Sequence, residues 1–400
     1  MEADGYLLDK RISCINNVFL VEEFYAMNKN FILLSMPYFF TIFFLSCSSF
    51  GKHPGGERLE RIKRSPNYAN GEFQNQIPTT TLVEQKGFLS STWRYLLKKR
   101  ERLRPDIPLP MIKTDLKSFD KNKNLVVWLG HSSCYLQLNG KLILIDPVLA
   151  KSAAPFAFLN RAFDGNYPYS AEDIPDIDYL IISHDHWDHL EHPTIIALKN
   201  RVKAIICPIG VGEHLEYWGI DPKIIHEGDW YDSFQLEPDF TVHILPARHF
   251  SGRWLTKRNQ TLWAGFMLET KLNKVFYSGD GGYGPHFAEI GKKFGNVDLA
   301  IMENGQYDPD WAAIHLMPEE AVQASLEINA KALLPVHSGR FSICRHPWDD
   351  PYIRVSAASK DKKFRLLTPK IGEVIYLEEL DRSFEPWWQT YRELPADEIE

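Results

Sequence analysis

The chain has 400 residues, of which 44% are hydrophobic and 24% are charged, so it is long enough to bury a large core. Its formal charge of −7 is spread without long acidic or basic runs, which argues against a nucleic-acid-binding protein with a basic surface. The five cysteines form no C-x-x-C pair and have no regular spacing, so the sequence suggests neither a disulfide scaffold nor a cysteine zinc finger.

An uncharged apolar stretch lies near the amino terminus, at residues 31–46. It is short for a membrane-spanning helix, and it ends at Cys47. Residues 27–47 resemble a bacterial lipoprotein signal in which Cys47 carries the lipid, and residues 1–26 then precede the true start codon. Phe44 stands where such signals usually have an aliphatic residue, and a buried or interfacial apolar helix is the alternative. The signal predicts a protein anchored by lipid to a bacterial envelope membrane and facing the periplasm. Without it, a cytoplasmic protein is expected.

The next region, residues 48–123, is polar and contains many prolines, which predicts a tether followed by a strap over the folded domain. Within it, residues 90–104 have apolar side chains at helical spacing beside a Lys-Lys-Arg run. That run fits a solvated helix face better than a patch that binds lipid headgroups. Residues 124–380 are predicted to form the main domain, and residues 381–400 a C-terminal tail.

Apolar runs lie on both sides of Asn139-Gly140, the kind of dipeptide that most strongly predicts a tight β-hairpin. Further strands are predicted at residues 178–183, 203–207, 241–246, 263–269, 274–279, 299–302 and 331–336. Helices are predicted at residues 193–199, 287–294 and 318–329, the last of which opens with Pro-Glu-Glu. Strands dominate and helices lie between them, so the sequence predicts an α/β or α+β domain with two sheets.

Four of the predicted strands each lead into a side chain that can bind a metal. These side chains are His184, His249, Asp280 and His337. Loops at one edge of a rigid sheet commonly carry function, so we expect the four side chains to form one site at one edge of the sheets.

The run His-Asp-His-Trp-Asp-His, at residues 184–189, gives this site its strongest signal. Burying so many polar side chains without a metal would be costly. Alternation along the run directs His184 and His186 toward one ion, and the next turn of chain presents Asp188 and His189 to a second. With the other strand-end residues, the donors exceed the roughly four that one zinc needs. The sequence therefore predicts two ions, with Asp280 placed to bridge them.

The donors are imidazoles and carboxylates without thiolates, a set that suits zinc and tolerates manganese or iron. A hydroxide held between two such ions would be the nucleophile, because coordination lowers the pKa of bound water to about 7. Hydrolysis is therefore the expected reaction, and the protein is expected to be an enzyme.

The run HDHWDH resembles the H-x-H-x-D-H signature of the metallo-β-lactamase superfamily, and the order of the downstream ligands resembles that family too. More narrowly, residues 125–375 are similar to the branch of N-acylphosphatidylethanolamine-hydrolysing phospholipase D and its bacterial relatives. The similarity lies in WLGHSS (128–133), IDP (145–147), HDHWDHLE (184–191), SGDGGYGPHFAEIGKKFG (278–295), HLMPEEA (315–321) and PVHSGRF (335–341). The resemblance implies an αββα sandwich, with two mixed β-sheets flanked by helices.

The resemblance also implies how two Zn²⁺ ions divide the ligands, although other divalent metals fit the same donors. One ion would bind His184, His186 and His249. The other would bind Asp188, His189 and His337, with Asp280 bridging. Catalytic roles are implied for Asp188 and for His315, which would contact substrate or aid proton transfer. Asp146 is implied to orient a ligand histidine.

The substrate implied by the resemblance is a phosphodiester in an N-acylphosphatidylethanolamine-type phospholipid. The membrane is the second expected partner, through the lipid anchor that the signal predicts. The segment after His249 departs from the eukaryotic phospholipases in residues and length, so their substrate-contacting loops cannot be transferred. A lactonase, a hydrolase of soluble phosphodiesters or sugar phosphates, and an inactive metal-binding envelope lipoprotein are the alternatives. No nucleic-acid partner is expected, and the sequence leaves the oligomeric state open.

Aromatic and basic residues near the predicted ligands have two interpretations each. Tryptophans could line an acyl-chain groove or belong to the core, and arginines could bind phosphate or lie on the surface. The residues concerned are Trp187, Trp254, Trp263 and Trp311, and Arg248, Arg253 and Arg340.

Overall fold

The computed structural model of the protein describes residues 48–81, 102–165, 168–253 and 257–393. The predicted signal at residues 27–47 and most of the predicted helix at residues 90–104 lie outside them. The features that follow lie in the unit Phe50–Glu400, which is separate from Met1–Ser49. No helix among the described residues is both long enough and apolar enough to cross a bilayer.

Among the described residues of the Phe50–Glu400 unit, strands outnumber helices. The strands are β1 (Tyr68–Ala69), β2 (Glu72–Phe73), β3 (Leu125–Gly130), β4 (Ser133–Leu138), β5 (Lys141–Ile145), β6 (Ile177–Ile181), β7 (Val202–Pro208), β8 (Ile225–Gly228), β9 (Ser233–Glu237), β10 (Phe240–Leu245), β11 (Gly265–Thr270), β12 (Lys274–Tyr277), β13 (Val297–Glu303), β14 (Ala330–Val336), β15 (Arg365–Leu366) and β16 (Val374–Tyr376). The helices are α1 (Gly56–Ile62), α2 (His192–Leu198), α3 (Gly212–Tyr217), α4 (His286–Phe294), α5 (Pro318–Glu327), α6 (Asp350–Ala358) and α7 (Trp387–Glu393).

Within the described residues, two seven-stranded sheets form the centre of the fold. The first has the order β16-β3-β4-β5-β6-β7-β8, and the second has the order β15-β14-β13-β12-β11-β10-β9. Each sheet is mixed, because strands β5 to β8 and strands β12 to β15 pair in parallel whereas the other neighbours pair antiparallel.

Burial on both faces of the strands makes this a four-layer structure. Two adjacent residues of β13 show this. Leu299 belongs to the core between the sheets, and Ala300 belongs to the core under helices α4 and α5. A third apolar cluster joins the outer face of the first sheet to α2 and α3. Strands buried on two faces read as continuous apolar runs, which explains why the sequence predicted them. The predicted αββα sandwich with two mixed sheets is confirmed.

The predicted elements of the main domain differ from the observed ones by one or two residues at their ends. The predicted hairpin at Asn139-Gly140 joins β4 to β5, with Leu138 paired to Lys141. Both turn residues have positive φ, 50° and 72°, the backbone conformation for which Asn-Gly is favoured. Within the predicted main domain, strands β8, β9, β15 and β16 and helices α3 and α6 were not predicted, and all four strands lie at the edges of their sheets.

The segments on either side of the predicted main domain contribute to its core. Ile62 of α1 and Phe73 of β2 are buried in the cluster between the sheets. Trp387 and Trp388 of α7 are buried in the same cluster, although residues 381–400 read as a tail in the sequence. Residues 50–81 therefore contribute side chains to the core of the fold.

Candidate metal centre

The predicted ligands follow strands that end at the same edge of the fold. In the second sheet β12, β13 and β14 run parallel, and Glu303 at the end of β13 pairs with Val336 at the end of β14. In the first sheet β5 and β6 run parallel and lead to Asp146 and His184. The two edges meet, since the backbone N–H of Ala264 donates to the carbonyl of Ser183 at 3.0 Å.

Three imidazoles form the first cluster of donors. Nδ1 of His186 lies 2.9 Å from Nε2 of His184 and 3.2 Å from Nε2 of His249. His184 and His249 are each 1% exposed, so no bulk water surrounds these nitrogens. Such separations suit three nitrogens that share one ion, because zinc binds imidazole nitrogen at about 2.0–2.1 Å.

Two carboxylates and two imidazoles form the second cluster. Nε2 of His337 lies 3.2 Å from Oδ2 of Asp188 and 3.3 Å from Oδ2 of Asp280. Nε2 of His189 lies 3.1 Å from the same Asp280 oxygen. That oxygen also lies 4.0 Å from Nε2 of His184, in the first cluster. Asp280 therefore lies between the two clusters, where a bridging ligand would be.

Unpartnered buried atoms test whether the residues fit a metal. Oδ1 of Asp280 and Nε2 of His189 are buried without a hydrogen bond, although Oδ2 of Asp280 lies 3.1 Å from that nitrogen. Buried polar atoms are rarely left in this state. A divalent cation bound by the two clusters would satisfy both atoms, so the donor set fits metal ions.

The protonation states also fit. Burial and the neighbouring His189 and His186 rings hold the pKa of His184 well below its usual range, so its ring is neutral. Burial disfavours ionisation of Asp280, but the positive charges of His189 and His337 outweigh it and hold the pKa of Asp280 well below its usual range. Neutral imidazoles and ionised carboxylates are the forms that bind metals.

The two imidazoles of the second cluster, His337 and His189, carry positive charge that balances the negative charge of the carboxylates. Burial opposes protonation of His337, but Asp280, Asp188 and Glu303 outweigh it and raise the pKa of His337 to about 10. The pKa of His189 is likewise raised well above its usual value, against burial, by Asp280 and Asp188. The second cluster therefore requires positive charge, which protons supply in the metal-free chain and a divalent cation would supply instead.

Asp146 lies behind the second cluster. Its Oδ2 is 2.8 Å from Nδ1 of His189, which leaves Nε2 of that ring facing Asp280. The Asp146 carboxylate also accepts from the backbone N–H of Ser183 at 2.7 Å and from the hydroxyl of Tyr277 at 2.6 Å. Asp146 therefore lies next to His189, one of the histidines predicted to be a ligand.

His315 lies at the side of the first cluster, with its ring centroid 5.0 Å from that of His249. Its Nδ1 contacts the carboxylate of Glu303, and its side chain keeps 14% of its surface exposed. His315 and Asp146 are the predicted site residues that lie outside both clusters, and of these two His315 is partly exposed whereas Asp146 is buried.

The sequence did not single out Glu303, which lies beneath two histidines. Its Oε1 contacts His315 and lies 3.2 Å from Nδ1 of His337, and its Oε2 accepts from the N–H of Gly281 at 2.6 Å. Glu303 is 1% exposed. The same strand-end criterion that selected His337 would have found it, because Glu303 is the last residue of β13.

His131 was also missed as a site residue, although it lies inside the WLGHSS motif. Its Nε2 lies 2.8 Å from Oδ2 of Asp188, and its backbone has a φ of 52°. Burial and the nearby His337 lower the pKa of His131 to about 4, so the neutral ring donates to Asp188. A left-handed backbone in a non-glycine residue is uncommon, and such conformations gather at functional sites.

Asp185 is the one acidic residue of the HDHWDH run that points away from the clusters. Its carboxylate accepts from the N–H of Gly252 at 2.7 Å and from the hydroxyl of Thr261 at 3.0 Å. Nε2 of His214 lies 3.2 Å from it. Asp185 therefore ties the ligand-bearing run to the loop that follows His249.

The arginines near the ligands stabilise the backbone. Arg253 donates to the carbonyls of Asp185 at 2.8 Å and Leu190 at 2.6 Å, and its guanidinium stacks 3.8 Å from the ring centre of Trp187. Arg340 donates to three carbonyls, and Arg248 donates to the hydroxyl of Thr79 and to two carbonyls. The hypothesis that Arg253 and Arg340 bind phosphate is therefore wrong, because both are buried and directed at carbonyl oxygens.

The tryptophans near the predicted ligands differ in whether they belong to the core. Trp263 is buried in the core and donates to the carbonyl of Ala247 at 3.0 Å, and Trp311 donates to that of Gln306 at 3.1 Å. Trp187 packs edge-on against Phe50. Trp254 lies outside the described residues. Trp263 is therefore a core residue and does not line a groove.

Comparison with known proteins agrees with the observed fold. Residues 141–338 match the family model described as the beta-lactamase superfamily domain. The chain is similar to an uncharacterized protein of Mycobacterium tuberculosis, with 34% identity over 82% of this chain and 88% of that protein. It is also similar to N-acyl-phosphatidylethanolamine-hydrolyzing phospholipase D 1 of Caenorhabditis elegans, with 29% identity over 59% of this chain and 70% of that protein.

Two further similarities concern a short stretch of the sequence and a solved structure. A stretch of 100 residues is 66% identical to outer membrane protein RomA of Klebsiella pneumoniae, covering 25% of this chain and 75% of that protein. Among solved structures, a possible metal-dependent hydrolase from Veillonella parvula aligns with a TM-score of 0.50 and 16% identity, over 63% of this chain and 98% of that chain. At that identity, the structural similarity concerns the fold alone.

Proposed function

Because this chain belongs to the metallo-β-lactamase superfamily, in the branch of N-acylphosphatidylethanolamine-hydrolysing phospholipase D and its bacterial relatives, we propose a specific reaction for it. The protein is a metal-dependent hydrolase. Its proposed substrate is an N-acylphosphatidylethanolamine, which water cleaves into N-acylethanolamine and phosphatidic acid. The observation that carries the metal-dependent hydrolysis is the position of Asp280, whose Oδ2 lies within 4.0 Å of nitrogens in both donor clusters. The choice of substrate is supported by the similarity to the phospholipase D relatives.

We propose that the clusters hold two Zn²⁺ ions, with the ligands divided as the resemblance implies. Bound there, such a pair lowers the pKa of coordinated water to about 7 and stabilises charge on the attacking and leaving oxygens of a phosphodiester. The chain contributes the geometry, since Asp146 and Glu303 each hold a ligand histidine by its other ring nitrogen. His131 donates to Asp188, which keeps that carboxylate oriented.

His315 is proposed to move the proton. In this hydrolysis the water oxygen forms a bond to phosphorus, the bond between phosphorus and the ethanolamine oxygen breaks, and a proton from the water passes to that leaving oxygen. Glu303 contacts Nδ1 of His315, so Nε2 is the atom left to exchange a proton with water or with the leaving group. Asp188 is proposed to act as a ligand and to position the water through that role.

An apolar loop beside the centre supports a lipid substrate. Ala157, Phe158 and Leu159 are exposed in succession, and Phe158 is 73% exposed. The base of the loop packs against Phe341, whose ring lies edge-on to His131 with 5.2 Å between the centroids. Exposed apolar patches commonly mark contact with lipids or other partners. The tip of this loop would meet acyl chains or the bilayer near the reacting phosphate.

The envelope location is also a proposal. It is supported by the signal-like segment at residues 27–47 and by the name of the similar outer membrane protein. Mass spectrometry of the mature protein tests it, because a lipid on Cys47 at the new amino terminus is the expected result. An unlipidated chain that begins at Met1 would reject it.

A lactonase or a hydrolase of soluble phosphodiesters would use the same metal centre, so a substrate panel decides between them. Zinc-restored enzyme is tested with N-acylphosphatidylethanolamine, a homoserine lactone and a generic phosphodiester. The highest kcat/KM is expected for the phospholipid. His186→Ala should abolish turnover, whereas His226→Ala, which changes a half-buried histidine of β8 outside the centre, should preserve it. An inactive lipoprotein would hydrolyse none of the three.

A further inference from the structure

The backbone of the ligand His249 is held by one distant side chain. His249 lies in the connection between β10 and β11, where no neighbouring strand pairs with it. Its N–H donates to Oδ1 of Asn75 at 3.0 Å, and its carbonyl accepts from Nδ2 of Asn75 at 2.8 Å. Asn75 precedes it by 174 residues. A single amide therefore satisfies both backbone polar groups of a buried ligand.

The segment around Asn75, residues 71–79, runs beside the connection that carries His249. The N–H of Phe73 donates to the carbonyl of Asn259 at 2.8 Å, and the indole N–H of Trp263 donates to Oδ1 of Asn75 at 3.2 Å. At the other end, Nε of Arg248 donates to the hydroxyl of Thr79 at 3.0 Å. The Asn75 contact thus belongs to a set of bonds that flank His249 on both sides.

The imidazole of His249 has its own anchor. Its Nδ1 lies 2.8 Å from the carbonyl oxygen of Ile314, and its Nε2 points at Nδ1 of His186 at 3.2 Å. The ring position therefore depends on two attachments, one at Ile314 and one through the backbone at Asn75. If the Asn75 attachment is lost, the bond to Ile314 still fixes the orientation of the ring, but the distance from its Nε2 to His186 is no longer fixed.

We propose that Asn75 is a positioning residue of the metal centre, which sets the place of His249 so that its Nε2 can share an ion with His184 and His186. Residues 71–79 are then part of the metal site and not a passive strap. The inference rests on the metal centre and not on the identity of the substrate, so it holds for a phospholipid, a lactone or any other hydrolysed molecule.

The test compares three variants of the full chain. Asn75→Ala removes both bonds to His249. Asn75→Asp keeps an acceptor for the N–H but loses the donor to the carbonyl. Asn67→Ala is the matched control, because Asn67 is also half-buried in the same region and bonds Asp229 at 2.7 Å, away from the centre. Zinc affinity is measured by competition with a chelator, and the ligand geometry by the visible spectrum of the cobalt-substituted protein.

We expect Asn75→Ala to weaken zinc binding by about 10–100-fold, the usual cost of losing a residue that supports a ligand. The cobalt spectrum should change, Asn75→Asp should fall between wild type and Asn75→Ala, and Asn67→Ala should match wild type. Wild-type affinity with an unchanged cobalt spectrum in Asn75→Ala would overturn the proposal. If Asn75→Ala does not fold, Asn75→Asp decides by the same two measurements.

The result separates this inference from the proposed reaction. Wild-type protein that binds zinc but does not hydrolyse N-acylphosphatidylethanolamine removes the proposed substrate and leaves the Asn75 comparison intact. Wild-type protein that binds no zinc removes the metal centre and the role of Asn75 together.

Discussion

Nδ1 of His189 lies 2.8 Å from the carboxylate of Asp146, and neither side chain has any exposed surface. Asp146 follows β5 and His189 follows β6, so two adjacent parallel strands bring them together. The contact selects which nitrogen of His189 faces Asp280, and it joins the ligand to Ser183 and Tyr277 through the same carboxylate. Such an arrangement is common behind histidine ligands, where it fixes the tautomer and the orientation of the ring.

Replacement of Asp146 should weaken the second donor cluster more than the first. In Asp146→Ala, His189 loses its orienting partner, so zinc affinity at that cluster should fall about 10–100-fold. Metal content after dialysis at limiting free zinc should then be close to one ion for each chain. Asp178→Ala, which removes another strand carboxylate that accepts a backbone N–H, should retain two. Two ions bound by Asp146→Ala at the same free zinc would contradict this role.

Replacement of Glu303 should affect turnover more than substrate binding. Glu303→Gln removes the charge shared by His337 and His315, so we expect kcat to fall about 10–100-fold with a smaller change in KM. The double variant with His315→Ala should lose little more activity than His315→Ala alone, because residues that act together are not additive. Independent, multiplicative losses would show that Glu303 and His315 do not act as a pair.

Removal of metal should destabilise the fold. A ligand that binds only the folded state stabilises it, by about 2.7 kcal/mol at a concentration 100 times its Kd. The chelator-treated protein should therefore have a lower Tm than the zinc-loaded protein, and zinc should restore the difference. His186→Ala should show a smaller gain on adding zinc than His226→Ala. Equal Tm values with and without zinc would mean that the folded protein does not bind zinc at this centre.

The exposed loop beside the centre should matter only for substrates presented in a membrane. Phe158→Asp places a charge at the apolar tip, so turnover of N-acylphosphatidylethanolamine in vesicles should fall several-fold. Turnover of a soluble phosphodiester should be unchanged, because Phe158 lies outside both donor clusters. Leu272→Asp is the control, since Leu272 is exposed to the same 73% in the turn between β11 and β12. Equal losses in both variants would indicate a general effect of surface charge.

The ligands that the sequence predicted share a local signal. His184, Asp280 and His337 each follow a continuous apolar run, and strands buried on both faces produce such runs. Glu303 carries the same signal, since it directly follows the strand predicted at residues 299–302, but no role was predicted for it. His131 lies in a recognised motif without a recognised role, because its contact with Asp188 joins residues 57 positions apart.

Other features have no local signal at all. Asn75 is one polar residue in a proline-containing stretch, and only the fold brings it to His249. Arg253 and Arg340 look the same in the sequence whether they bind phosphate or backbone carbonyls, and the fold decides for the carbonyls. The edge strand β9 was missed since its sequence, SFQLE, is half polar and lacks the apolar run of a central strand.

Zinc titration of metal-stripped protein, with both products of N-acylphosphatidylethanolamine hydrolysis measured at each step, tests the proposed function most directly. A two-zinc phosphodiesterase predicts no turnover in the stripped protein, turnover that rises to a plateau at two equivalents of zinc, and equal amounts of N-acylethanolamine and phosphatidic acid. Turnover that survives complete removal of metal, or no turnover of this lipid at two bound equivalents, would contradict it.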